Sequence, residues 1–598
     1  MLVYGDVECW ETVGAKHARI EGALTEVACL PPGIERHSAL VAAFIGASEL
    51  VQGILDAGFQ ERGFDVRSVD HAGGMEILAI LARTVDRSWR SGFVEGSVPA
   101  SLLGKLLGCD PSLPIRTRTA EGYAFYAVYP ESYLEAARRS GLGQGTRVIG
   151  IRSIGTGLSA LVAAALDAPP PLTLRPAGHP FRREVRADPA LTEELAADRD
   201  AMFAIVDEGP GLSGSSFGAV ADWLEAEGVA RQRIHFFPSH ANSLGPQASP
   251  HHRERWSRAP RHVIDMDRLL LRSSPPHSLA AWIEDCLGPL DQPLEEISGG
   301  AWRARRYPDE THWPAAHVQQ ERRKFLARVK GTPWLVKFAG LGEAGLRKYR
   351  RAQELHAGGF TPEAAGYRHG FLIERWHESG ASLDRTPVDR NLLVERIGSY
   401  LGFRARRFPA GADRGASLDH LGEMARYNTG QGLGEDAAAA LGALAPRGGS
   451  LEGHVRRIDT DNRMQPWEWL LVGGHLIKTD ALDHSAAHDL VGCQDVTWDI
   501  AGAIVEFSLS GEETSRLCRI VERESGFPVA PEILAFMRPC YLAFQMGAHT
   551  MAAWSLGDGP EAFRLRRAAD RYSRLLQGLL NLEPARRPTR EQDEPPSS

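Results

Sequence analysis

Two acids end a short apolar run at Phe203-Ala204-Ile205-Val206. Eight residues follow, Gly209-Pro210-Gly211-Leu212-Ser213-Gly214-Ser215-Ser216, of which seven are Gly, Pro or Ser. Phe217, Val220, Ala221 and Leu224 then recur at helical spacing, so a helix starts near Ser215–Phe217. The first amides of a helix lack intrahelical partners, and its N-terminus carries partial positive charge. Gly lets the backbone approach a ligand and Ser adds hydroxyl donors, which is the chemistry of a phosphate site. Asp207 and Glu208, at the carboxyl end of a strand, are placed to accept hydrogen bonds from two sugar hydroxyls. Ligands of open α/β sheets bind at that edge. Taken alone, the segment is equally an ordinary βα turn.

A second loop lies about 55 residues upstream: a strand at Val148–Ile151, then Arg152-Ser153-Ile154-Gly155-Thr156-Gly157, then a helix with Leu158, Leu161, Val162, Ala165 and Leu166 on one face. The two loops in this order resemble the type I phosphoribosyltransferases. The resemblance implies that Asp207 and Glu208 hold the ribose and act in catalysis. Gly211, Leu212, Ser213, Gly214, Ser215 and Ser216 would take the 5-phosphate of 5-phosphoribosyl-1-diphosphate (PRPP). Arg152, Ser153, Gly155, Thr156 and Gly157 would take its diphosphate, with Mg²⁺. The sequence departs from the family in a loop one residue longer and in Gly209–Pro210, where two apolar residues are usual. Between the loops, Arg175, His179, Arg182 and Arg183 occupy the place of the family's mobile hood; a solvated basic loop is the alternative.

Further along, Lys337 lies on a strand after a turn at Lys330-Gly331-Thr332-Pro333, and a helix containing Glu354 follows. Strand Lys, helix Glu and a further strand are the order of a kinase N-terminal lobe, where the Lys reaches nucleotide phosphates and the Glu orients it. The segment Arg457–Phe507 resembles the catalytic region of aminoglycoside-phosphotransferase-like kinases. The resemblance implies a hairpin over Trp469–Ile477, a metal-binding Asp480, a structural Asp499, a catalytic Asp459 or Asp461, and Glu468 near the second metal position. The family's H-x-D-x-x-x-x-N spacing is absent: Arg457 replaces the His and Met464 the Asn. The glycine-rich element Ser298–Trp302 is short. Asp483-His484 and His488-Asp489 also carry metal-ligand types at helical spacing.

The elements that must position these residues divide the chain. Residues 1–112 read as mainly helical, 113–275 as alternating strands and helices with a parallel sheet, 290–583 as an α+β kinase-like domain, and 584–598 as a polar, Pro-rich, disordered tail. The expected fold class is thus multidomain, an α/β phosphoribosyltransferase-like domain between a helical region and a kinase-like domain. The net charge of −8 carries no basic excess for nucleic acid. Seven Cys without a C-x-x-C argue against a disulfide framework or a structural zinc site, and no uninterrupted apolar stretch of 18 residues is found. A cytoplasmic protein without membrane or nucleic-acid partners is expected, with oligomerisation left open. The expected function is phosphoribosyl transfer from PRPP or a related ribose phosphate to a small molecule, with Mg²⁺ and ATP as ligands. The alternatives are a PRPP- or nucleotide-sensing regulator with a pseudokinase domain, and a small-molecule kinase with an accessory α/β domain.

Overall fold

The computed structural model describes residues 8–98, 102, 110–198, 200–211, 213–444, 451–485 and 491–581. Leu212, His488, Asp489 and the tail 584–598 lie outside them. Strand β1 (Glu8–Thr12) ends on Thr12, whose hydroxyl caps α1 (Val13–Cys29) by accepting from the Ala15 amide. α2 (Ile34–Arg62) and α3 (Val69–Arg90) follow, then β2 (Pro114–Arg118), which pairs antiparallel with β1. By length and composition α2 is the one described helix able to cross a membrane, but 67% of its most apolar window is buried inside the protein. A helix apolar on most sides belongs in a core.

Next come α4 (Glu121–Phe125), α5 (Pro130–Arg139), β3 (Arg147–Ile151), α6 (Gly155–Ala165), β4 (Leu172–Leu174) and a hairpin of β5 (Ala177–His179) and β6 (Arg182–Glu184). They are followed by α7 (Pro189–Ala196), β7 (Phe203–Val206), α8 (Ser215–Ala226), β8 (Ile234–Phe237) and α9 (Pro250–Arg258). The strands form a parallel sheet in the order β4-β3-β7-β8. All four β7 side chains are buried, as a parallel strand covered on both faces requires. One face packs Phe217, Val220 and Leu224 of α8. The other packs Leu158 and Leu161 of α6 together with Leu40, Phe44 and Val51 of α2. Residues from Val13 to Phe93 therefore share a core with the sheet, and that core runs on to Val336, Phe338 and Phe371 of the next sheet.

α10 (Leu279–Leu287) leads to β9 (Glu295–Glu296), β10 (Lys324–Val329), β11 (Thr332–Phe338), α11 (Gly342–Ala357), β12 (Ala364–Arg368) and β13 (Phe371–Arg375). These strands make an antiparallel sheet in the order β12-β13-β11-β10-β9. The tight approach of α11 to the β11 end depends on Gly345: a Cβ there would lie 1.9 Å from the Gly340 carbonyl oxygen and 2.5 Å from the Tyr367 hydroxyl. Gly345→Ala gains about 1 kcal/mol of helix propensity but incurs an overpacking cost of about 3 kcal/mol. A net loss of about 2 kcal/mol in urea unfolding is expected; an unchanged midpoint would refute this account of the packing.

The remainder is mainly helical. β14 (Ala381–Ser382), α12 (Arg390–Arg407), α13 (Leu418–Leu433), α14 (Glu435–Leu444) and β15 (Arg457–Ile458) precede the hairpin of β16 (Trp469–Val472) and β17 (His475–Lys478). That hairpin turns at Gly473 and Gly474, with φ of 55° and 84°. β18 (Gln494–Asp495) pairs with β15, and α15 (Thr497–Glu506), α16 (Gly511–Ser525), α17 (Pro531–Leu556) and α18 (Pro560–Leu579) complete the lobe. Its interior is built on Leu393, Ile397, Trp469 and Ile500, and on Trp498, Phe536, Tyr541 and Tyr572.

Candidate functional site

The antiparallel sheet and the helical lobe enclose a cleft of about 170 Å³. Leu335 and Leu470 supply apolar walls, the connector Glu374-Arg375-Trp376-His377 lines one side, and Lys337, Glu468, Lys478, Asp480, Asp483 and His484 supply charge. Lys337 stands on β11 opposite Lys324 and Leu372 and is buried. Its ammonium makes ion pairs with both Asp480 and Asp483. Burial alone would push the lysine down and the acids up; the pairing reverses both, holding Lys337 charged and both carboxyls far below the usual carboxylate range. Asp480 follows the Gly-Gly hairpin with φ of 52°, a left-handed conformation that Asp tolerates.

The helix does not supply the predicted glutamate. The buried stripe of α11 is Lys348, Ala352 and Leu355, and Glu354 lies one residue off it. Glu354 pairs instead with Arg407 at 2.8 Å, half-exposed. Lys348 takes the inward position, 2.7 Å from Asp483 and 2.7 Å from the Ala339 carbonyl. Burial lowers its pKa to about 8 against the pull of Asp483. The acids that fix Lys337 thus come from the segment after β17, and the helix contributes a second cation.

The loop after β15 also differs from expectation. Asp499, in the first turn of α15, accepts the backbone amides of Asp461 and Asn462, each at 2.8 Å. This pins the loop to the helical lobe. Arg457 is buried and donates to the carbonyls of Ala412, Ala416 and Cys493. Asp459 is taken by the guanidinium of Arg351 and by the Cys493 thiol at 3.2 Å. Asp461 is fully buried, bonded by the Tyr400 hydroxyl and 3.5 Å from Lys478. Neither predicted catalytic aspartate lines the cleft; the loop residues that do are Arg463, Trp467 and Glu468. The reason is charge compensation: Asp459 is held by Arg351, and Asp461 by Lys478, a cation that it shares with Glu468.

The two predicted metal ligands do share the cleft. Lys478 holds Glu468 at 2.7 Å, and burial pushes that carboxyl up. Glu468, Asp480 and Asp483 bring carboxylate oxygens, the donor type that Mg²⁺ prefers, to one cleft. The glycine-rich element offers no free phosphate cradle at Gly300, whose amide donates to Glu321 at 2.8 Å, as does the Trp302 indole.

A second cavity, of about 660 Å³, opens at the carboxyl edge of the parallel sheet. Asp207, Glu208, Gly209, Gly211, Ser153, Ser216, Arg175 and Arg183 line it. Burial pushes Asp207 up to about 7, and burial with the neighbouring Asp207 pushes Glu208 up to about 8. The Tyr133 hydroxyl donates to the Asp207 carbonyl at 2.9 Å and the Gly122 amide to the Glu208 carboxyl at 3.0 Å.

The upstream loop is only partly available to a ligand. The Arg152 side chain is buried, paired with Asp56 at 2.9 Å and with Asp65. It braces the sheet against α2 and the segment after it. Gly155, Thr156 and Gly157 are buried and do not line the cavity. Their smallness serves packing: a Cβ on Gly155 would lie 2.6 Å from the Val206 carbonyl, and one on Gly157 2.4 Å from the Ser48 hydroxyl. Arg152, Arg175 and Arg183 all line the cavity, Arg152 and Arg175 while paired with Asp56. Gly214, with φ of 61°, sets the start of α8, but the hydroxyls of Ser213 and Ser215 donate to the Pro180 carbonyl at the tip of the β5–β6 hairpin, at 3.0 and 2.5 Å. In this conformation the hairpin covers the two serines.

Sequence reasoning missed Lys348, which pairs with Asp483; Arg351, which takes Asp459; and Arg463, which lines the cleft. The signal for the first two was present, since cations three residues apart share a helix face; nothing local marked Arg463.

No family model matches the sequence, and no curated protein matches it. Three solved structures are similar to part of the chain. Choline kinase LicA from Streptococcus pneumoniae is 17% identical, covers 42% of this chain and 89% of its own, with a TM-score of 0.29. Spectinomycin phosphotransferase APH(9)-Ia, in complex with ADP and spectinomycin, is 10% identical over 50% of this chain and 93% of its own, TM-score 0.31. A choline/ethanolamine kinase family protein from Mesorhizobium loti is 14% identical over 43% and 85%, TM-score 0.30.

Proposed function

We propose that the inter-lobe cleft binds a nucleoside triphosphate with Mg²⁺ and that the protein is a kinase-like phosphotransferase acting on a small molecule. The observation that carries this reading is the convergence of Lys337 from the sheet with Asp480 and Asp483 from the helical lobe, beside the apolar walls Leu335 and Leu470. Leu335 and Leu470 offer apolar surface to a flat base, and the connector at residues 374–377 would offer backbone groups to its edge. Lys337 is placed to turn from the aspartates to the phosphates. Glu468 and Asp480 would hold the metal, which neutralises phosphate charge. Arg463, in the loop, is placed to stabilise negative charge on a transferring group, and phosphoryl transfer needs mainly such positioning and electrostatics.

Titration calorimetry with ATP and Mg²⁺ tests this. Wild type is expected to bind, and Asp480→Asn to lose about 10- to 100-fold in affinity, the worth of one charge-assisted contact. Wild type that does not bind ATP would overturn the reading.

A second reading, binding without transfer, is favoured by the sequestration of Asp459 and Asp461 and by Arg463 in their stead. ADP release in the presence of candidate acceptors separates the two.

For the parallel-sheet cavity the reading is a phosphorylated sugar such as PRPP. It rests on the paired acids Asp207 and Glu208 facing Arg175 and Arg183 across one cavity. Asp207→Asn is expected to weaken PRPP binding about tenfold or more by calorimetry. Arg152→Ala, by contrast, should act first on stability. Equal loss of PRPP affinity from both, in folded protein, would reassign Arg152 to the ligand.

A further inference from the structure

Three residues far apart in the chain meet in the dry interior where α2, α5 and the β12–β13 turn come together. They are His37 on α2, Glu131 in the first turn of α5, and His369 in the turn, where φ is 39°. All three side chains are fully excluded from solvent. His37 Nε2 lies 2.8 Å from Glu131 Oε1, and His369 Nε2 lies 3.3 Å from the same oxygen. One ligand atom from each residue falls within 4.8 Å of the others.

Hydrogen bonding inside the cluster leaves it unsatisfied. Glu131 Oε2, His369 Nδ1 and His369 Nε2 are buried without a hydrogen-bond partner; the 3.3 Å contact of His369 is close but misaligned. Buried polar atoms are normally paired, and each exception needs an explanation. A cation at the centre supplies one. Zinc held at roughly 2.0–2.1 Å by imidazole and carboxylate has ligand–ligand edges of roughly 3.3 Å, the scale of the contacts here. The far nitrogen of His37 is already set by the Ser88 hydroxyl at 2.9 Å, the outer-shell bond that orients metal-bound histidines. Trp89 and Phe93 around His37, and Tyr129 and Trp282 around His369, keep the centre apolar.

We propose that His37, Glu131 and His369 bind one divalent transition-metal ion, zinc by the chemistry of its donors. The ion clamps the α2–α5 layer of the parallel-sheet module onto the antiparallel sheet that carries Lys337. None of the three residues lines either cleft, as suits a structural site, and the unpartnered Glu131 Oε2 supplies the fourth donor when the carboxylate binds through both oxygens.

The test uses the full-length protein, stripped with a chelator, reloaded with Zn²⁺ or Co²⁺, desalted and analysed for metal and for melting temperature. Wild type is expected to retain about one equivalent and to melt several degrees higher when loaded, because metal binding is linked to folding. His369→Gln and Glu131→Gln are expected to retain less than about a fifth of an equivalent and to lose that shift. Retention below about a tenth of an equivalent in wild type overturns the site. Equal retention in wild type and both variants also overturns it, placing the metal elsewhere, for instance at His251, His252 and Asp222. Should both variants fail to fold, cobalt-loaded wild type decides: visible absorption bands of a four-coordinate nitrogen–oxygen site support the proposal, and pale six-coordinate bands refute it.

Discussion

Asp499→Ala is expected to cost about 4 kcal/mol of stability. The carboxylate is 1% exposed and accepts the amides of Asp461 and Asn462. Deleting it strands two buried donors at about 1–3 kcal/mol each. It also removes one of the negative charges that compensate the buried guanidinium of Arg404. An opposing term exists, because Asp461 and Asp499 repel one another and burial with Asp461 pushes Asp499 up. That repulsion is smaller than the loss of two hydrogen bonds, so the sign stays destabilising. Asp499→Asn keeps one acceptor oxygen and should lose about half as much. Urea unfolding followed by tryptophan fluorescence reads both, since Trp469 and Trp498 are fully buried in this lobe. A loss under about 1 kcal/mol for the alanine variant would show that the loop is held by something other than Asp499.

Lys337→Ala is expected to remove nucleotide binding and to destabilise the protein in a pH-dependent way. Buried Asp483 would keep Lys348 as its ion pair, and the partly exposed Asp480 would keep only the weaker pulls of Lys324 and His484; breaking a buried pair costs about 3–5 kcal/mol at neutral pH. In wild type the folded-state pKa values of Asp480 and Asp483 are depressed. Their contribution is therefore present above the unfolded carboxylate pKa and lost as pH falls towards the folded values. Without Lys337, burial acts on Asp480 against only the weaker pulls of Lys324 and His484, so its folded-state pKa rises and the variant loses less to acid than wild type does. The gap between variant and wild type should narrow steadily from pH 7 to pH 4. A gap constant across that range would exclude the ion-pair account. Lys337→Met, which fills the same space without charge, separates the electrostatic part from lost packing.

Much of this was legible locally. The strand–acid–glycine–helix order at residues 203–226 folds as its periodicity and Gly content require, with β7 between β3 and β8 and α8 starting at Ser215. The Gly473–Gly474 hairpin puts Asp480 at the cleft, and the turn at Lys330–Gly331, with φ of 50° and 74°, sets the register of Lys337. These features depend on neighbours within a few residues, and the backbone physics of Gly and of amphipathic periods acts over that range.

The pairing of charges was decided in three dimensions. Arg152 looked like a diphosphate ligand, but Asp56 and Asp65 reach it from 96 and 87 residues away. Glu354 had the right order for orienting Lys337, yet the rotation of α11 against the sheet turned Lys348 inward. Asp459 and Asp461 had the right chemistry, but Arg351 lies 108 residues from the first and Tyr400 61 from the second. His37, Glu131 and His369 carry no local motif at all. A charged side chain in the sequence states only what it can do. Which counter-charge desolvates with it depends on how distant elements pack, and that pairing decides whether it serves the fold or faces a ligand.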